Sequence, residues 1–355
     1  MNICIVTVYN SINSGSYWQA FALKQCLEDY GHKVFFLRRK ITMNSSASVP
    51  YQMLSAVKKL LTGKITTIGN QVRIFREFKS ISENFQEIEL EQLKKNSIDL
   101  IVLGSDTIWN LDSQYFRETY KVYWGGCFSD IPVISYAGSA ANISRKRVDE
   151  RPDIKEYVSQ WRAISVRDIH TKEILKELTI KPIQIVCDPT ILLTKNDYTN
   201  IVAPITDKKY IFLYLFSELS LSQIQSLVRF ARKNKLKIIS GIKPRSYCDE
   251  TIVNAPHSFL KYMLGAQYVV TDTFHGTVFS VNLRKQFIAI NRNKNKVNQF
   301  LHYVGMGDRL IMSEASIESA LDMQIDYVII RKRYDELRER SIAFIENVME
   351  EMNAK

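Results

Sequence analysis

The sequence lacks any hydrophobic run long enough to cross a membrane, and it has few histidines, glycines and prolines. Its 355 residues include five histidines, 13 glycines and eight prolines. A membrane-spanning helix needs about 20 consecutive apolar residues, and no run here approaches that length. The start, MNICIVTVYN, has no basic region before its apolar run, which indicates a first strand and not a signal peptide.

Cysteine pairs are also missing. The five cysteines are scattered and form no CxxC motif. A disulfide framework or a zinc site of the finger type needs cysteines at paired, characteristic spacings. We therefore expect reduced thiols, a cytoplasmic compartment and no metal site.

Acidic residues are absent from two long segments of a chain whose formal charge is +11. The first, from Tyr30 to Arg76, holds nine basic residues: Lys33, Arg38, Arg39, Lys40, Lys58, Lys59, Lys64, Arg73 and Arg76. The second, residues 273–307, holds Arg284, Lys285, Arg292, Lys294 and Lys296. Such segments favour anionic partners, either small substrates or an acidic membrane surface. We expect no nucleic-acid partner, because the sequence has no RNA-binding aromatic motif, zinc finger or basic zipper.

Short apolar β-rich runs alternate with helical segments along most of the chain, which predicts parallel sheets of the α/β class. NICIVTVY, a turn, YWQAFALKQCLEDYG and HKVFFLR form the first such unit, and the pattern restarts near residue 210 with YIFLYLF. We predict two Rossmann-like domains in a glycosyltransferase-B-like architecture, over residues 1–197 and 208–325. Residues 326–355 are predicted to form a long amphipathic helix.

Several predicted strands end in small or polar residues, and parallel α/β sheets bind ligands at the carboxyl ends of their strands. The four endings are Gly104-Ser105-Asp106, Gly138-Ser139, Arg167-Asp168 and Asp188-Pro189. Asp106 suits a general base or a ligand for sugar hydroxyls, or alternatively a helix cap. Arg167 suits a clamp on a carboxylate or phosphate, or alternatively a structural ion pair. Trp109 is expected in the core, with stacking on a sugar as the alternative.

The loop after the first strand contains Asn10, Asn13, Gly15 and Ser16 before a helix. Backbone amides there suit an anionic or hydroxyl-rich ligand, although a plain turn with a helix cap explains the same residues. The loop has neither GxGxxG nor a P-loop sequence, so it is not a dinucleotide or triphosphate fingerprint.

His275 ends a strand and precedes Gly276 in the segment TDTFHGTVFSVNLRKQF. One interpretation is a structural cap for a helix that starts near Gly276. The other is an imidazole that binds phosphate or transfers a proton. The acid-free surroundings favour an anionic ligand at this position.

The combined motifs resemble the polysaccharide pyruvyl transferase family. The matching segments are NSGSYWQAFALKQCLEDYGHKV, DLIVLGSDTIWN, ISYAGSAA, ISVRDIHTKEIL, VCDPTILL and VTDTFHGTVFSVNLRKQFIAI, in family order over roughly residues 3 to 290. Two departures are Ser16, where the family often has Asp or Ala, and Thr273, where serine is commoner.

This resemblance implies an enzyme that transfers the pyruvyl group of phosphoenolpyruvate to two hydroxyls of a sugar, forming a cyclic ketal in a bacterial capsule, exopolysaccharide or lipid-linked precursor. It implies catalytic roles for His275, Arg167 and Asp106, and no cofactor. Donor-binding residues would be Thr273, Gly276, Thr277, Arg292 and Lys294 in the second domain. Acceptor-binding residues would be Tyr9, Asn10, Asn13, Gly15, Ser16 and Ser105 in the first domain.

Other functions stay open at this stage. One is a glycosyltransferase of the same fold that uses a nucleotide sugar, and another is a non-catalytic sugar-binding or membrane-assembly protein. The implied acceptor is an oligosaccharide on a polyprenyl diphosphate. Because YQMLSAVKKLLTGKI combines an apolar helical stripe with Lys58 and Lys59, we predict peripheral attachment to the inner face of the cytoplasmic membrane.

Overall fold

The computed structural model describes residues 1–11, 13–38, 77, 83–128, 130–206, 209–291, 295–312 and 316–354. The chain divides into two compact units. The first comprises Met1–Ser11, Ser16–Leu192 and Arg338–Lys355, and the second comprises Ile12–Gly15 and Leu193–Leu337. The predicted helix YQMLSAVKKLLTGKI, with most of the first acid-free segment, lies outside the described residues.

Within the described residues, the first unit is built on a seven-stranded parallel sheet. Its strands are β1 (Asn2–Val6), β2 (Lys33–Leu37), β3 (Glu87–Ile88), β4 (Leu100–Leu103), β5 (Val133–Gly138), β6 (Ala163–Val166) and β7 (Ile183–Ile185). Their order is β3-β2-β1-β4-β5-β6-β7. Because the chain winds outward in both directions from the β1–β4 pair, the ligand-binding crevice of such a sheet is expected at the carboxyl ends of these two strands.

The helices of the first unit cover a sheet whose strands are almost wholly buried. Among the described residues they are α1 (Ser14–Asp29), α2 (Gln114–Glu118), α3 (Tyr120–Tyr123), α4 (Arg145–Asp149), α5 (Asp153–Gln160) and α6 (Ile169–Lys176). The first two residues of α1, Ser14 and Gly15, are grouped with the second unit. Trp109 is fully buried, stacks on Trp161 at 5.4 Å and lies 5.3 Å from the Trp124 ring. Its indole nitrogen donates to the Tyr123 carbonyl at 2.8 Å. The prediction of a core tryptophan is confirmed.

The second unit repeats the same winding with a six-stranded parallel sheet among its described residues. Its strands are β8 (Tyr210–Tyr214), β9 (Lys237–Ser240), β10 (Glu250–Thr251), β11 (Tyr268–Thr271), β12 (Gln286–Ile290) and β13 (Leu310–Ile311). They lie in the order β10-β9-β8-β11-β12-β13. Here the winding reverses between β8 and β11, so the expected crevice is at the carboxyl ends of these strands.

Six α-helices lie wholly within the described part of the second unit, and one of them, α10 (Phe274–Asn282), begins three residues after the end of β11. They are α7 (Lys195–Ile201), α8 (Leu221–Lys233), α9 (Pro256–Gly265), α10 (Phe274–Asn282), α11 (Asn295–Tyr303) and α12 (Ile317–Asp322). The helix predicted over HGTVFSVNLR is α10, which begins one residue before His275. The interpretation of His275 as the cap of a helix starting near Gly276 is therefore wrong.

The predicted C-terminal helix is α13 (Tyr327–Asn353), which has 27 residues. Its first part belongs to the second unit, where the Tyr334 hydroxyl donates to Asn282 at 2.7 Å. Its last part belongs to the first unit, where the Ser341 hydroxyl accepts from the Cys187 amide at 2.8 Å. No helix among the described residues is long and apolar enough to cross a membrane. All five cysteines are free.

Candidate active site

The amide of Gln19, a residue that the sequence did not single out, organises the carboxyl ends of β1 and β4. Its nitrogen donates to the carbonyls of Val8 and Ser16, both at 2.8 Å. Its oxygen accepts from the Ser105 hydroxyl at 2.5 Å. Ser105 is fully buried, and its carbonyl accepts from the Thr7 hydroxyl at 2.8 Å. The predicted acceptor residue Ser105 thus already has protein partners, which tie the two strand ends together.

Asp106 follows directly, in the left-handed backbone region at φ = 75°. Asp is one of the few non-glycine residues found there with any frequency. One carboxylate oxygen accepts from the Ser16 hydroxyl at 2.7 Å. The other accepts from the Thr107 amide at 2.7 Å and from Arg167 at 3.3 Å. Asp106 caps no helix, because the next helix, α2, begins at Gln114.

Arg167, at the end of β6, has a side chain that is 3% exposed and contacts two carboxylates. Its Nη1 donates to Asp188 at 2.7 Å and its Nη2 to Asp106 at 3.3 Å. Burial acts to lower the pKa of this guanidinium, but the charges of Asp188, Asp106 and Asp168 outweigh burial and raise the pKa. A ligand anion at Arg167 would therefore have to compete with carboxylates that already neutralise it.

Asp168, the neighbour of Arg167, has a different task. Its carboxylate accepts from the amide and the hydroxyl of Thr171, at 2.8 Å and 2.7 Å, and so caps α6. The ion-pair partners of Arg167 are therefore Asp106 and Asp188, which come from two other strand ends. Because these partners are distant from Arg167 in the sequence, no local sequence pattern around Arg167 predicts them.

The remaining predicted acceptor residues differ in exposure. The Tyr9 ring is fully buried between Phe36 and Phe85, and its hydroxyl donates to Glu87 at 2.7 Å. Asn10 is half-buried and Asn13 is exposed. The Asn13 side chain accepts from the Gly15 amide at 3.0 Å, so it stabilises the first turn of α1.

In the second unit, Asp272 and Arg245 both hydrogen-bond to the backbone of the loop after β8. The Asp272 carboxylate accepts from the amides of Phe216 and Ser217, both at 2.9 Å. Arg245 donates to the carbonyls of Leu215 and Ser217, both at 2.9 Å. Arg245 could not be selected from the sequence, because its role depends on a loop 28 to 30 residues earlier in the chain. Both residues shape the carboxyl edge at the β8–β11 pair.

Thr273 caps α10 and is buried, as are Gly276 and Thr277. The Thr273 hydroxyl accepts from the Gly276 amide at 2.9 Å and lies 3.0 Å from the Thr271 hydroxyl. The Thr277 hydroxyl donates to the Thr273 carbonyl at 2.8 Å. A Cβ atom at Gly276 would lie 2.2 Å from the Thr271 hydroxyl, so glycine is needed for this close approach. These contacts hold the amino end of α10 rigidly against β11.

His275 is the second residue of α10 and is 8% exposed. Its ring meets the Phe274 ring edge-on at a centroid distance of 5.5 Å. The ring also lies close to Gly15, where a Cβ atom would lie 2.2 Å from the imidazole Nδ1. The amino end of a helix carries a partial positive charge and favours anions. The imidazole of His275 and the positive end of α10 thus lie together just after the carboxyl end of β11.

Two basic residues of the second acid-free segment, Arg284 and Lys285, follow α10 in the sequence. Arg284 is exposed, and Lys285 donates to the carbonyls of Leu264 and Ala266 at the end of α9. Both follow the carboxyl end of α10, a nine-residue helix that rises about 13 Å. Arg284 and Lys285 thus lie past the opposite end of α10 from His275. Arg292 and Lys294 lie outside the described residues.

A cavity of about 380 Å³ opens at the amino edge of the first unit's sheet, away from these strand ends. It is lined by residues that precede or begin β5, β6 and β7, among them Val133, Trp161, Arg162 and Lys181. The Lys181 amine donates to the carbonyls of Ser159 and Trp161, at 2.8 Å and 2.5 Å. Within the described residues, no group of three or more His, Cys, Asp or Glu side chains is placed to hold a metal ion.

The family model for polysaccharide pyruvyl transferase matches residues 13–294 of this chain. The chain belongs to the polysaccharide pyruvyl transferase family. The match includes Ser16, Asp106, Arg167 and His275. The protein is therefore a transferase enzyme of polysaccharide biosynthesis, as the resemblance in the sequence implied. A comparison with curated protein sequences gives no significant match.

Solved structures resemble the pyruvyl transferase chain over nearly its whole length. The UDP-GlcNAc 2-epimerase from Neisseria meningitidis bound to UDP-GlcNAc has a TM-score of 0.55 and 12% identity, covering 99% of this chain and 100% of that chain. The UDP-N-acetylglucosamine 2-epimerase from Rickettsia bellii has a TM-score of 0.49 and 13% identity, covering 99% of this chain and 97% of that chain. Acinetobacter baumannii MurG has a TM-score of 0.47 and 9% identity, with 99% of each chain covered.

At these identities the likeness to solved structures shows the fold alone. The prediction of two Rossmann-like units in a glycosyltransferase-B-like fold, ending in a helix, is confirmed. The ligands that the neighbouring structures bind are properties of those proteins.

Proposed function

We propose that this enzyme transfers the pyruvyl group of phosphoenolpyruvate to two hydroxyls of one sugar and releases phosphate. The sugar belongs to a bacterial surface polysaccharide, such as a capsule or exopolysaccharide, or to its precursor on a polyprenyl diphosphate. The observation that carries the proposal is the position of His275. It lies at the amino end of α10, just after β11, within a chain that belongs to the pyruvyl transferase family.

The reaction needs an acid, a base and an anion site, but no electron transfer. Protonation of C3 of phosphoenolpyruvate turns its methylene into a methyl group and leaves C2 oxocarbenium-like. One sugar hydroxyl adds to C2 while its proton passes to a base. The second hydroxyl then displaces phosphate from C2, and its proton leaves with the phosphate or to solvent. The products are a cyclic ketal and inorganic phosphate.

His275 suits the donor part of this reaction. Its imidazole either contacts the phosphate or protonates the methylene. The partial positive charge at the amino end of α10 adds to the attraction for phosphate. Thr273, Gly276 and Thr277 support this site by fixing the first turn of the helix, as their mutual hydrogen bonds indicate. Arg292 and Lys294 stay predicted donor-binding residues.

Asp106 suits the acceptor part. Its carboxylate accepts from the Ser16 hydroxyl at 2.7 Å, and it lies at the strand edge where α/β sheets bind ligands. A sugar hydroxyl that replaced the Ser16 hydroxyl as a donor would be positioned for deprotonation by Asp106. Asn10, Asn13 and Ser16 stay predicted acceptor-binding residues, as does Gly15, and the last two lie in the first turn of α1. Tyr9 and Ser105 would support the acceptor site indirectly, because both are buried and their hydroxyls already donate to Glu87 and Gln19.

Arg167 is proposed to pair with the donor's carboxylate or phosphate. For this role the donor has to displace one of the two carboxylates that already pair with the guanidinium. The contact with Asp188, at 2.7 Å, is shorter than the contact with Asp106, at 3.3 Å. A donor anion would therefore replace Asp106 as the partner of Nη2, and the freed carboxylate would become available as a base.

Because the implied acceptor is held in a membrane by its polyprenyl chain, we also propose that the enzyme attaches peripherally to the inner face of the cytoplasmic membrane. The support is the first acid-free segment, whose nine basic residues would each contribute roughly 1 kcal/mol near an anionic surface.

The proposed function is tested by incubating the enzyme with phosphoenolpyruvate and candidate lipid-linked glycans, without nucleotides. We expect mass spectrometry to find a glycan heavier by one pyruvic acid less one water, with one inorganic phosphate released for each. Transfer from a UDP-sugar in place of this reaction would establish the glycosyltransferase alternative. Binding of glycan without any transfer, from either donor, would establish a sugar-binding protein.

A further inference from the structure

Gly15 and His275 come unusually close within the second unit. An ideal Cβ atom built on Gly15 would lie 2.2 Å from Nδ1, 2.4 Å from Cγ and 2.8 Å from Cβ of His275. Real Cβ atoms do not approach other heavy atoms this closely, so the imidazole occupies the space that any other residue at position 15 would fill. The backbone of Gly15 thus forms one wall of the His275 site.

The backbone conformation does not require glycine at position 15. Gly15 lies in the first turn of α1 and is not one of the positive-φ glycines. Alanine favours a helical backbone at least as well as glycine does. The close approach of His275 is therefore the physical reason for glycine here.

Hydrogen bonds hold the backbone on both sides of this contact, at Gly15 and at the first turn of α10. On one side, the Asn13 side chain holds the Gly15 amide at 3.0 Å. Ser14 is fully buried and its hydroxyl faces the phenol of Tyr214, whose pKa burial raises and Ser14 partly lowers. On the other side, the first turn of α10 is held against β11 by its cap, Thr273. A methyl group at position 15 would therefore displace mainly the imidazole ring.

We infer that Gly15 is a positioning residue for His275: its bare backbone sets the orientation of the imidazole that serves the donor. This inference rests on the proposed role of His275 and replaces the predicted role of Gly15 as a direct sugar ligand. The relationship is steric. The wall fixes the direction in which the ring nitrogens point, and displacement of a catalytic group by about 1 Å can cost on the order of 10²-fold in rate.

A double-mutant cycle of Gly15→Ala and His275→Ala tests the inference. We expect Gly15→Ala alone to lower kcat about 10²-fold, with little change in KM for the sugar. In the His275→Ala background the same change should cost nothing further, because the ring that it displaces is gone. The melting temperature lost in Gly15→Ala should likewise return in the double variant, since His275→Ala vacates the space.

The matched control is Gly126→Ala in the first unit. A Cβ atom there would lie 2.4 Å from the Tyr157 ring, a comparable clash far along the chain from His275. We expect this variant to lose stability but to keep its kcat. The spectroscopic measurement is the imidazole resonance of His275 in histidine-labelled protein, which should move in Gly15→Ala and stay in Gly126→Ala.

A Gly15→Ala enzyme with unchanged kcat and an unmoved His275 resonance would overturn the inference. The inference would also be overturned if Gly15→Ala lowered kcat by the same factor in the His275→Ala background as it does in the wild-type enzyme. Wild-type activity of His275→Ala would instead reject the proposed role of His275, and with it any positioning role. An inactive His275→Ala beside a fully active Gly15→Ala would reject the inference alone.

Discussion

Arg167 and Asp188 form a buried ion pair in the first unit, with 2.7 Å between Nη1 and the carboxylate and side chains that are 3% and 1% exposed. The pair joins the carboxyl ends of β6 and β7. Asp106 adds a second carboxylate to the same guanidinium at 3.3 Å. Arg167 is therefore both a candidate for the donor site and a structural centre of the strand edge.

The structural part of this role predicts the behaviour of Arg167→Met. Removing the cation leaves two buried carboxylates without compensation, which typically costs about 3–5 kcal/mol. We expect urea unfolding to show a loss of this size in the free energy of unfolding. Arg162→Met, an exposed position nearby in sequence, is the control and should stay close to wild type. A normal stability of Arg167→Met would refute the structural role.

The donor part of this role predicts the behaviour of Arg167→Lys. Lysine keeps the charge but loses the planar, two-pronged donor geometry. We expect KM for phosphoenolpyruvate to rise more than KM for the sugar does. If kcat falls while KM for phosphoenolpyruvate is unchanged, Arg167 acts only by holding Asp106.

His275→Ala is predicted to lose transfer by about 10²- to 10⁴-fold, the usual effect of removing one positioned proton donor. Its melting temperature should stay close to normal. The control is His302→Ala, which replaces an exposed histidine whose Nδ1 lies 2.9 Å from the Asn298 carbonyl within α11. Steady-state release of phosphate from phosphoenolpyruvate measures both variants. Undiminished turnover in a folded His275→Ala would exclude His275 from catalysis.

Asp106→Asn is predicted to lower kcat far more than the affinity for phosphoenolpyruvate. An amide cannot serve as the base. The control is Asp112→Asn, an exposed carboxylate that pairs with Arg147 at 3.0 Å. Equilibrium binding of phosphoenolpyruvate, measured beside turnover, separates the two effects. An equal loss of donor affinity would move Asp106 out of the acceptor site.

Membrane attachment is predicted to depend on Lys58, Lys59 and Lys64, which lie outside the described residues. In liposome sedimentation we expect clear binding to anionic vesicles at low salt and weak binding at high salt, because salt screens the attraction. Replacing the three lysines by Glu should reduce binding. The control replaces Lys94, Lys95 and Lys176, three exposed lysines of the first unit, by Glu. Protein that stays in the supernatant with anionic vesicles at low salt would contradict the prediction.

The succession of strands and helices could be predicted from the sequence, because each element carries its own periodicity of apolar residues. β1, α1 and β2 follow the predicted pattern of NICIVTVY, YWQAFALKQCLEDYG and HKVFFLR. The start of α10 was less clear, since the segment Thr273–Gly276 has little periodicity. Its cap became evident only from the hydrogen bond between Thr273 and Gly276.

The sequence by itself determined the α/β class, the two parallel sheets, the C-terminal helix and the family, because all of these depend on local patterns and on motifs in order. Only the tertiary structure decided the partners of the candidate residues. Arg167 finds Asp188 and Asp106 at sequence separations of 21 and 61 residues. The contact between Gly15 and His275 likewise joins residues that are distant in the sequence. Such contacts join residues that are far apart in the sequence, and side-chain type and spacing along the chain do not encode which of these residues meet.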